Sequence, residues 1–328
     1  MRPSDKPVIA IDIGGTKYIV AVVGPGGRIL HRVYKYTLSK DGPAGVTARL
    51  MSTIEEVMSA SGLKRGSLGG IAVAYAGLVD IQRGLVTEAP NLPHWNNVPL
   101  RDMLADRFKL PAYVLNDASA AALSEHRLGA GTGLSNLIFI TVSTGIGGGI
   151  IINGELYNGT DGCAGEIGHT IVQVEGGPKC ACGRHGCWES LASGTAIARM
   201  AKERLRSGRK SILMDLCKGK IGEVKAEMVA EAARKKDTVA LEVIGEAAHY
   251  LGIGLANLVN LFNPQMIVVG GGVSGMGELI LRPARRCMKE IAFKLPAGTV
   301  KVVKAGLGTD SGLLGAAIYA QLMAGGER

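Results

Sequence analysis

The chain opens with an apolar run cut by one short polar turn, VIAIDIGGTKYIVAVV at 8–23. Short apolar runs bounded by glycine read as buried strands. The pattern predicts strand, glycine turn, strand. GPGG at 24–27 then makes a hairpin turn, and RILHRVYKY continues as a third strand. Helical spacing follows in VTARLMSTIEEVMSA (46–60), where Val46, Leu50, Ile54 and Val57 recur every three or four positions. IAVAYAG (71–77) reads as a buried strand and LRDMLADRFKL as a short helix stopped by Pro111. YVLND (113–117) is a strand ending at an acid, and ASAAALSEHRLG is the helix after it.

The opening pattern then recurs. NLIFITVSTGIGGGIIINGELY (136–157) is again strand, glycine turn, strand, tight turn, strand, with STGIGGG standing for DIGGTK and NGE for GPGG. A long helix is predicted over LEVIGEAAHYLGIGLANLVNLF, with Leu241, Ile244, Ala248, Leu251, Leu255, Leu258 and Phe262 on one face. MIVVGGG (266–272) is a strand entering a glycine turn, and VKVVKAG is another strand. DSGLLGAAIYAQLM is a final helix with Asp310 as its N-cap. Alternating strands and helices predict an α/β protein. The duplicated β-β-β-α-β-α pattern predicts two related lobes with a ligand cleft between them. A small domain is expected at 1–116, with the helix at 310–328 packing back on it, and a large domain at 117–309.

Composition narrows the class. Of 328 residues, 47% are apolar and 20% charged, as in a soluble globular protein able to bury a core without staples. No stretch of about 18 uncharged apolar residues suggests a membrane span. MRPSDKP runs straight into the first strand with no apolar leader, so a cytoplasmic protein is expected. The net charge of +9 gathers in KERLRSGRK (202–210), KGK (218–220) and ARKK (233–236), which read as solvated helix faces. No aromatic interleaving or finger motif points to nucleic acid.

In DIGGTK, glycines let the backbone approach a phosphate, Thr16 adds a hydroxyl and N–H, and Lys17 adds charge. Asp12, at a strand end, is placed to hold magnesium. STGIGGG (143–149) offers a matched second turn, and no Walker sequence is present. GGGVSG (270–275) formally fits a dinucleotide fingerprint. Its acid would be Glu290, which lies in a helical stretch with no strand before it, so an NAD enzyme is disfavoured. Asn116-Asp117 closes a strand and opens a helix. Asp117 can be an N-cap or a general base. Glu166, His169 and Glu189 supply acids and an imidazole suited to sugar hydroxyls. GGPKCACGRHGCWES (176–190) places Cys180, Cys182 and Cys187 within eight positions, a zinc-like cluster whose fourth ligand is His169 or His185. A closed site of this kind predicts structural zinc. Cys163, Cys217 and Cys287 read as packing residues.

DIGGTK, the PNLPHW…VPL segment (90–100), the ND pair, STGIGGG, GEIGH, C-x-C-G-x-x-G-C-W-E and the IVVGGG strand occur in this order over nearly the whole chain. In this the sequence resembles the ROK family, sugar kinases and sugar-responsive repressors of the actin–hexokinase superfamily with a ribonuclease H-like core. The resemblance implies an ATP-dependent kinase of a hexose 6-hydroxyl, closest to the family's glucokinases. Glucose, mannose, fructose, N-acetylglucosamine and N-acetylmannosamine remain open as substrates. It also implies Asp117 as the base, with Asn116, Glu166, His169 and Glu189 holding the sugar. Asp12, Gly14, Gly15, Thr16 and Lys17, with Thr144, Gly145, Gly147 and Gly148, match the phosphate loops, and Gly270, Gly271 and Gly272 match the adenosine turn. His169 would join Cys180, Cys182 and Cys187 on zinc, so that the metal turn fixes a wall of the sugar pocket. Mg-ATP and structural zinc are the expected cofactors, and a homodimer or homotetramer the expected assembly. Ala76 stands where many relatives have proline. The family's repressors carry an N-terminal helix-turn-helix of many tens of residues, whereas strand one here starts near residue 8.

Overall fold

A computed structural model describes residues 3–88, 92 and 94–326. The strands are β1 (Val8–Ile13), β2 (Lys17–Val23), β3 (Ile29–Tyr36), β4 (Ile71–Tyr75), β5 (Leu78–Asp80), β6 (Leu85–Glu88), β7 (Ala112–Asn116), β8 (Leu137–Val142), β9 (Ile146–Ile152), β10 (Glu155–Leu156), β11 (Met266–Gly270) and β12 (Lys301–Lys304). The helices are α1 (Gly42–Ser61), α2 (Leu100–Phe108), α3 (Asp117–Leu128), α4 (Trp188–Ala192), α5 (Gly194–Arg206), α6 (Leu213–Leu216), α7 (Ala226–Arg234), α8 (Thr238–Phe262), α9 (Glu278–Ile291), α10 (Lys294–Thr299) and α11 (Ser311–Gly326). One five-stranded sheet runs β3-β2-β1-β4-β7 and a second runs β10-β9-β8-β11-β12, the duplication expected from the sequence, while β5 and β6 pair in a two-stranded sheet.

The chain forms two compact units. The first comprises Met1–Ser135, Gly149–Gly165 and Gly306–Arg328; the second comprises Asn136–Gly148 and Glu166–Ala305. The division therefore falls after Ser135 rather than after Asn116. The reason is α3, which packs on α11 within the first unit.

In the first unit β1, β2 and β3 are antiparallel neighbours, and β1, β4 and β7 run parallel. Alternation sends Ile9, Ile11 and Ile13, with Tyr18, Val20 and Val22, into a core shared with Leu50, Ile54 and Val57 of α1. The opposite face carries Ala10, Ala21, Ala72 and Ala74 against Leu313, Ala316, Ala317 and Ala320 of α11. Small residues let the backbones approach closely there. A Cβ on Gly315 of α11 would lie 1.8 Å from the Ala120 carbonyl oxygen of α3.

In the second unit β8, β11 and β12 are parallel. Helix α8 is long and apolar enough to cross a bilayer by composition, but 61% of its most apolar window is buried, and it packs against α9, α7, α4 and α5. Gly252 and Gly254 permit this, since a Cβ at either would collide with Cys287 or the Trp188 ring. Buried Cys217 and Cys287 are packing residues as expected, whereas Cys163 is exposed. Helix α2 ends at Phe108 with Lys109 in the left-handed region, before Pro111 is reached. Pro90, Asn91 and Pro93 of the 90–100 segment lie outside the described residues.

Candidate active site and metal cluster

Two acids lie at the C-terminal ends of parallel strands in the first unit, Asp12 on β1 and Asp117 just past β7. The N-cap of α3 is Asn116, not Asp117. Its Oδ1 accepts from Ala118 N (2.9 Å) and Ser119 N (3.1 Å), and its Nδ2 donates to Gly77 O (3.1 Å). Asp117 is the first residue of the helix, with Oδ1 accepting from Ala118 N at 2.8 Å. Capping is thus carried by the amide of Asn116. Asn116 is engaged at both ends by this fold, including the Ala76–Gly77 loop.

The DIGGTK turn closes with Gly14 N donating to Lys17 O at 3.0 Å. Fully buried Thr37 clamps it from the far end of β3, its Oγ1 donating to Gly14 O (2.7 Å) and its N to Thr16 O (2.9 Å). Sequence pattern did not single out Thr37, because a threonine after a strand carries no signal of its own. Burial pushes the Asp12 carboxyl up to about 7. The charge of Asp117 adds to the rise, Lys17 opposes it, and Asp310 contributes a smaller increase. A carboxylate so disfavoured gains by binding a divalent cation. Gly312 leaves room for it, since a Cβ there would sit 2.9 Å from Asp12 Oδ2. Asp310 lies just before α11. Both its oxygens accept from Arg32 Nη1 at 3.0 Å.

In the second unit the STGIGGG turn is held by residues just after the cysteines. Gly194 N donates to Ser143 O (2.7 Å), and Thr195 Oγ1 to Thr144 O (2.8 Å). Ile146 N donates to Glu189 Oε2 at 2.9 Å. A Cβ at Gly145 would meet Glu189 Oε2 at 2.2 Å, so a side chain there would displace that carboxylate. Ser143 and Thr144 also line a cavity of about 730 Å³ with Gly272, Val273, Gly275 and Met276. The GGGVSG stretch there is a 3-10 turn at Gly272–Met276, entered through Gly271 at φ 81°. Glu290 lies in α9 paired with Arg286, so no ribose-binding acid accompanies it.

The glycine-interleaved cysteine turn brings Cys180, Cys182, Cys187 and His169 together, their ligand atoms all within 4.8 Å. Cys182 Sγ lies 3.6 Å from Cys187 Sγ, and Cys180 Sγ 3.7 Å from His169 Nδ1. A tetrahedron with Zn–S of 2.3 Å has S···S edges of about 3.8 Å and S···N edges of about 3.6 Å. The donor set and spacing therefore fit zinc. Burial pushes the Cys180 thiol up to about 12. His185 turns away, its Nδ1 on Gly177 O at 3.1 Å. Gly186, at φ 72°, passes where a Cβ would be 1.7 Å from Gln173 O. His169 Nε2 is 4.0 Å from Glu166 Oε2. Burial raises the Glu166 pKa, His169 opposes the rise, and Glu189 reinforces it.

Paired α/β units with glycine turns after their first strands define an actin-like ATPase fold. The chain belongs to the ROK family, whose model matches residues 8–322. It is 38% identical over 312 residues to the glucokinase of Halalkalibacterium halodurans, covering 95% of this chain and 94% of that one. It is 36% identical over 319 residues to the glucokinase of Thermotoga maritima, covering 97% and 98%. The crystal structure of a ROK family glucokinase from Streptomyces griseus, in complex with glucose and AMPPNP, is similar with a TM-score of 0.83 and 38% identity. That match covers 96% of this chain and 99% of the other.

Proposed function

We propose that the chain is a glucokinase that transfers the γ-phosphoryl group of Mg-ATP to the 6-hydroxyl of glucose. One observation carries the reading: Asn116 takes over the capping of α3, which leaves Asp117 at the end of β7, in the same unit as Asp12, whose pKa is raised by burial and then by the charge of Asp117. Asp117 is the general base. It accepts the proton of the sugar hydroxyl as oxygen attacks phosphorus and ADP departs with the electrons of the broken P–O bond. Asp12 is the residue that would hold magnesium, which when bound neutralises charge on the transferring phosphates. Backbone groups of the Asp12–Lys17 and Ser143–Gly148 turns serve the phosphates, and the Gly270–Gly272 turn serves the nucleoside. Glu166, His169 and Glu189 accept from and orient sugar hydroxyls, with Asn116 setting the adjoining loop. His169, Cys180, Cys182 and Cys187 hold a structural zinc that fixes the imidazole facing Glu166.

The test is formation of glucose 6-phosphate from glucose and Mg-ATP by the purified protein, run beside mannose, fructose, N-acetylglucosamine and N-acetylmannosamine. Turnover with glucose at the highest kcat/KM is expected. A higher value for another hexose would reassign the substrate, and no transfer to any sugar would overturn the kinase reading.

A further inference from the structure

Both ends of the DIGGTK turn are tied to α1. Fully buried Thr37, just after β3, directs its hydroxyl and its N–H at the carbonyls of Gly14 and Thr16. Its own carbonyl accepts from Arg49 Nη2 of α1 at 2.6 Å. The same nitrogen reaches Leu38 O at 3.3 Å, and Arg49 Nη1 pairs with Asp41 Oδ2 at 2.5 Å. Leu38 is thereby held at φ 49°, ψ 56°, a left-handed conformation that residues other than glycine seldom adopt. One helical turn beyond Arg49, Thr53 Oγ1 meets the hydroxyl of buried Tyr18 at 2.9 Å, the residue directly after Lys17. Thr53 Oγ1 also lies 2.9 Å from Arg49 O, so the two anchors are joined to each other.

The direction of these bonds matters. In a trans peptide the carbonyl and the following N–H point to opposite sides of the chain, and no cis peptide occurs among the described residues. Fixing Gly14 O on the Thr37 hydroxyl therefore turns the Gly15 N–H away from Thr37. Gly15 N and Thr16 N donate to no acceptor among the described residues. Successive backbone amides left free by a fixed turn are the donors an anion needs. Without the clamp, a peptide between two glycines could rotate and present its carbonyl instead.

We propose that Thr37 is a positioning residue for phosphoryl transfer. It fixes the Gly14–Gly15 peptide so that the free amides of the turn face the donor's phosphates, and Arg49 of α1 holds Thr37 in place. The inference rests on the reading that the Asp12–Lys17 turn serves those phosphates. Donors preset in this way stabilise charge without having to reorganise during the reaction. Buried Thr37 acts only through the turn, so its hydroxyl matters to ligands that carry phosphates and not to glucose or to adenosine.

Thr37→Val keeps the branched shape and the N–H but removes the hydroxyl. In calorimetric titrations of the zinc-loaded, full-length protein, it should weaken binding of magnesium-AMPPNP roughly tenfold, about the worth of one hydrogen bond. Adenosine and glucose should bind as they do to the parent. Thr37→Ser restores the donor and should recover most of the loss. Arg49→Gln leaves Thr37 itself intact and carries the test if Thr37→Val does not fold: it should lose part of the AMPPNP affinity and none of the adenosine affinity. The two losses should be less than additive when combined, since both act through one carbonyl. Tm and zinc content check the fold of each variant. Parent-like AMPPNP affinity in folded Thr37→Val, or an equal loss for adenosine, overturns the proposal. So does a Thr37→Ser variant no better than Thr37→Val. A parent that binds adenosine but gains nothing from the phosphates of AMPPNP would overturn the donor reading itself, and the inference with it.

Discussion

Glu189 joins the cysteine turn to the phosphate turn: its Oε2 accepts from Ile146 N at 2.9 Å, while its Oε1 lies 3.7 Å from Cys180 Sγ. The STGIGGG turn is thus held by the segment that carries the cysteines. Glu189→Ala should speed amide hydrogen exchange across Ser143–Gly148 and leave Asp12–Lys17 unchanged. Equal protection of the first stretch in variant and parent would show that the turn holds itself.

Asp117→Asn keeps the shape of the side chain, and the Asn116 cap keeps the helix. The fold and zinc content should persist while kcat falls about 10²–10⁴-fold, the usual contribution of a general base. Near-normal kcat in a folded, zinc-loaded variant would remove Asp117 from the chemistry.

Protein prepared without chelators should carry about one zinc per chain, as four-ligand sites do. Cys182→Ser should lower both zinc content and Tm. His185→Ala should lower neither, because His185 faces Gly177 O. Elemental analysis decides, and full zinc retention in Cys182→Ser would refute the ligand set.

The raised carboxyl of Asp12 gives a pH signature in magnesium-free protein. Its folded pKa of about 7 lies above the unfolded value of 3.8. The folded state therefore binds the extra proton between those values, and stability falls as pH rises through that window. Asp12→Asn removes the penalty. Its Tm should exceed the parent's at pH 8, and the advantage should vanish near pH 4. A difference independent of pH would mean that Asp12 does not titrate as its surroundings dictate.

The duplicated strand-turn-strand pattern could be read in the sequence because buried strands leave unbroken apolar runs and tight turns leave glycine. The cysteine cluster was equally open to reading, since spacing constrains ligands. The choice between His169 and His185 was not, because it depends on which ring the folded turn points at the sulfurs. The roles of Asn116 and Asp117 were interchangeable in sequence, and only the backbone at the β7–α3 junction separates them. Thr37 and Thr195 act through single hydroxyls on distant carbonyls, which no local pattern marks. The approach of Lys202 and Arg234 to one cavity needed the packing of α5 and α7, so each run looked like ordinary solvated surface.

The alanine face of the first sheet has a consequence for synthesis. Ala10, Ala21, Ala72 and Ala74 are covered by α11, whose residues Ser311–Gly326 lie far along the chain from them. The stretch Glu166–Ala305 of the second unit is translated before that helix exists. Domains commonly mature in the order in which they emerge. Here the order is interleaved: the first sheet gains its α11 cover only after Glu166–Ala305 has been made, and a nascent chain halted before residue 311 leaves those alanines without that helix.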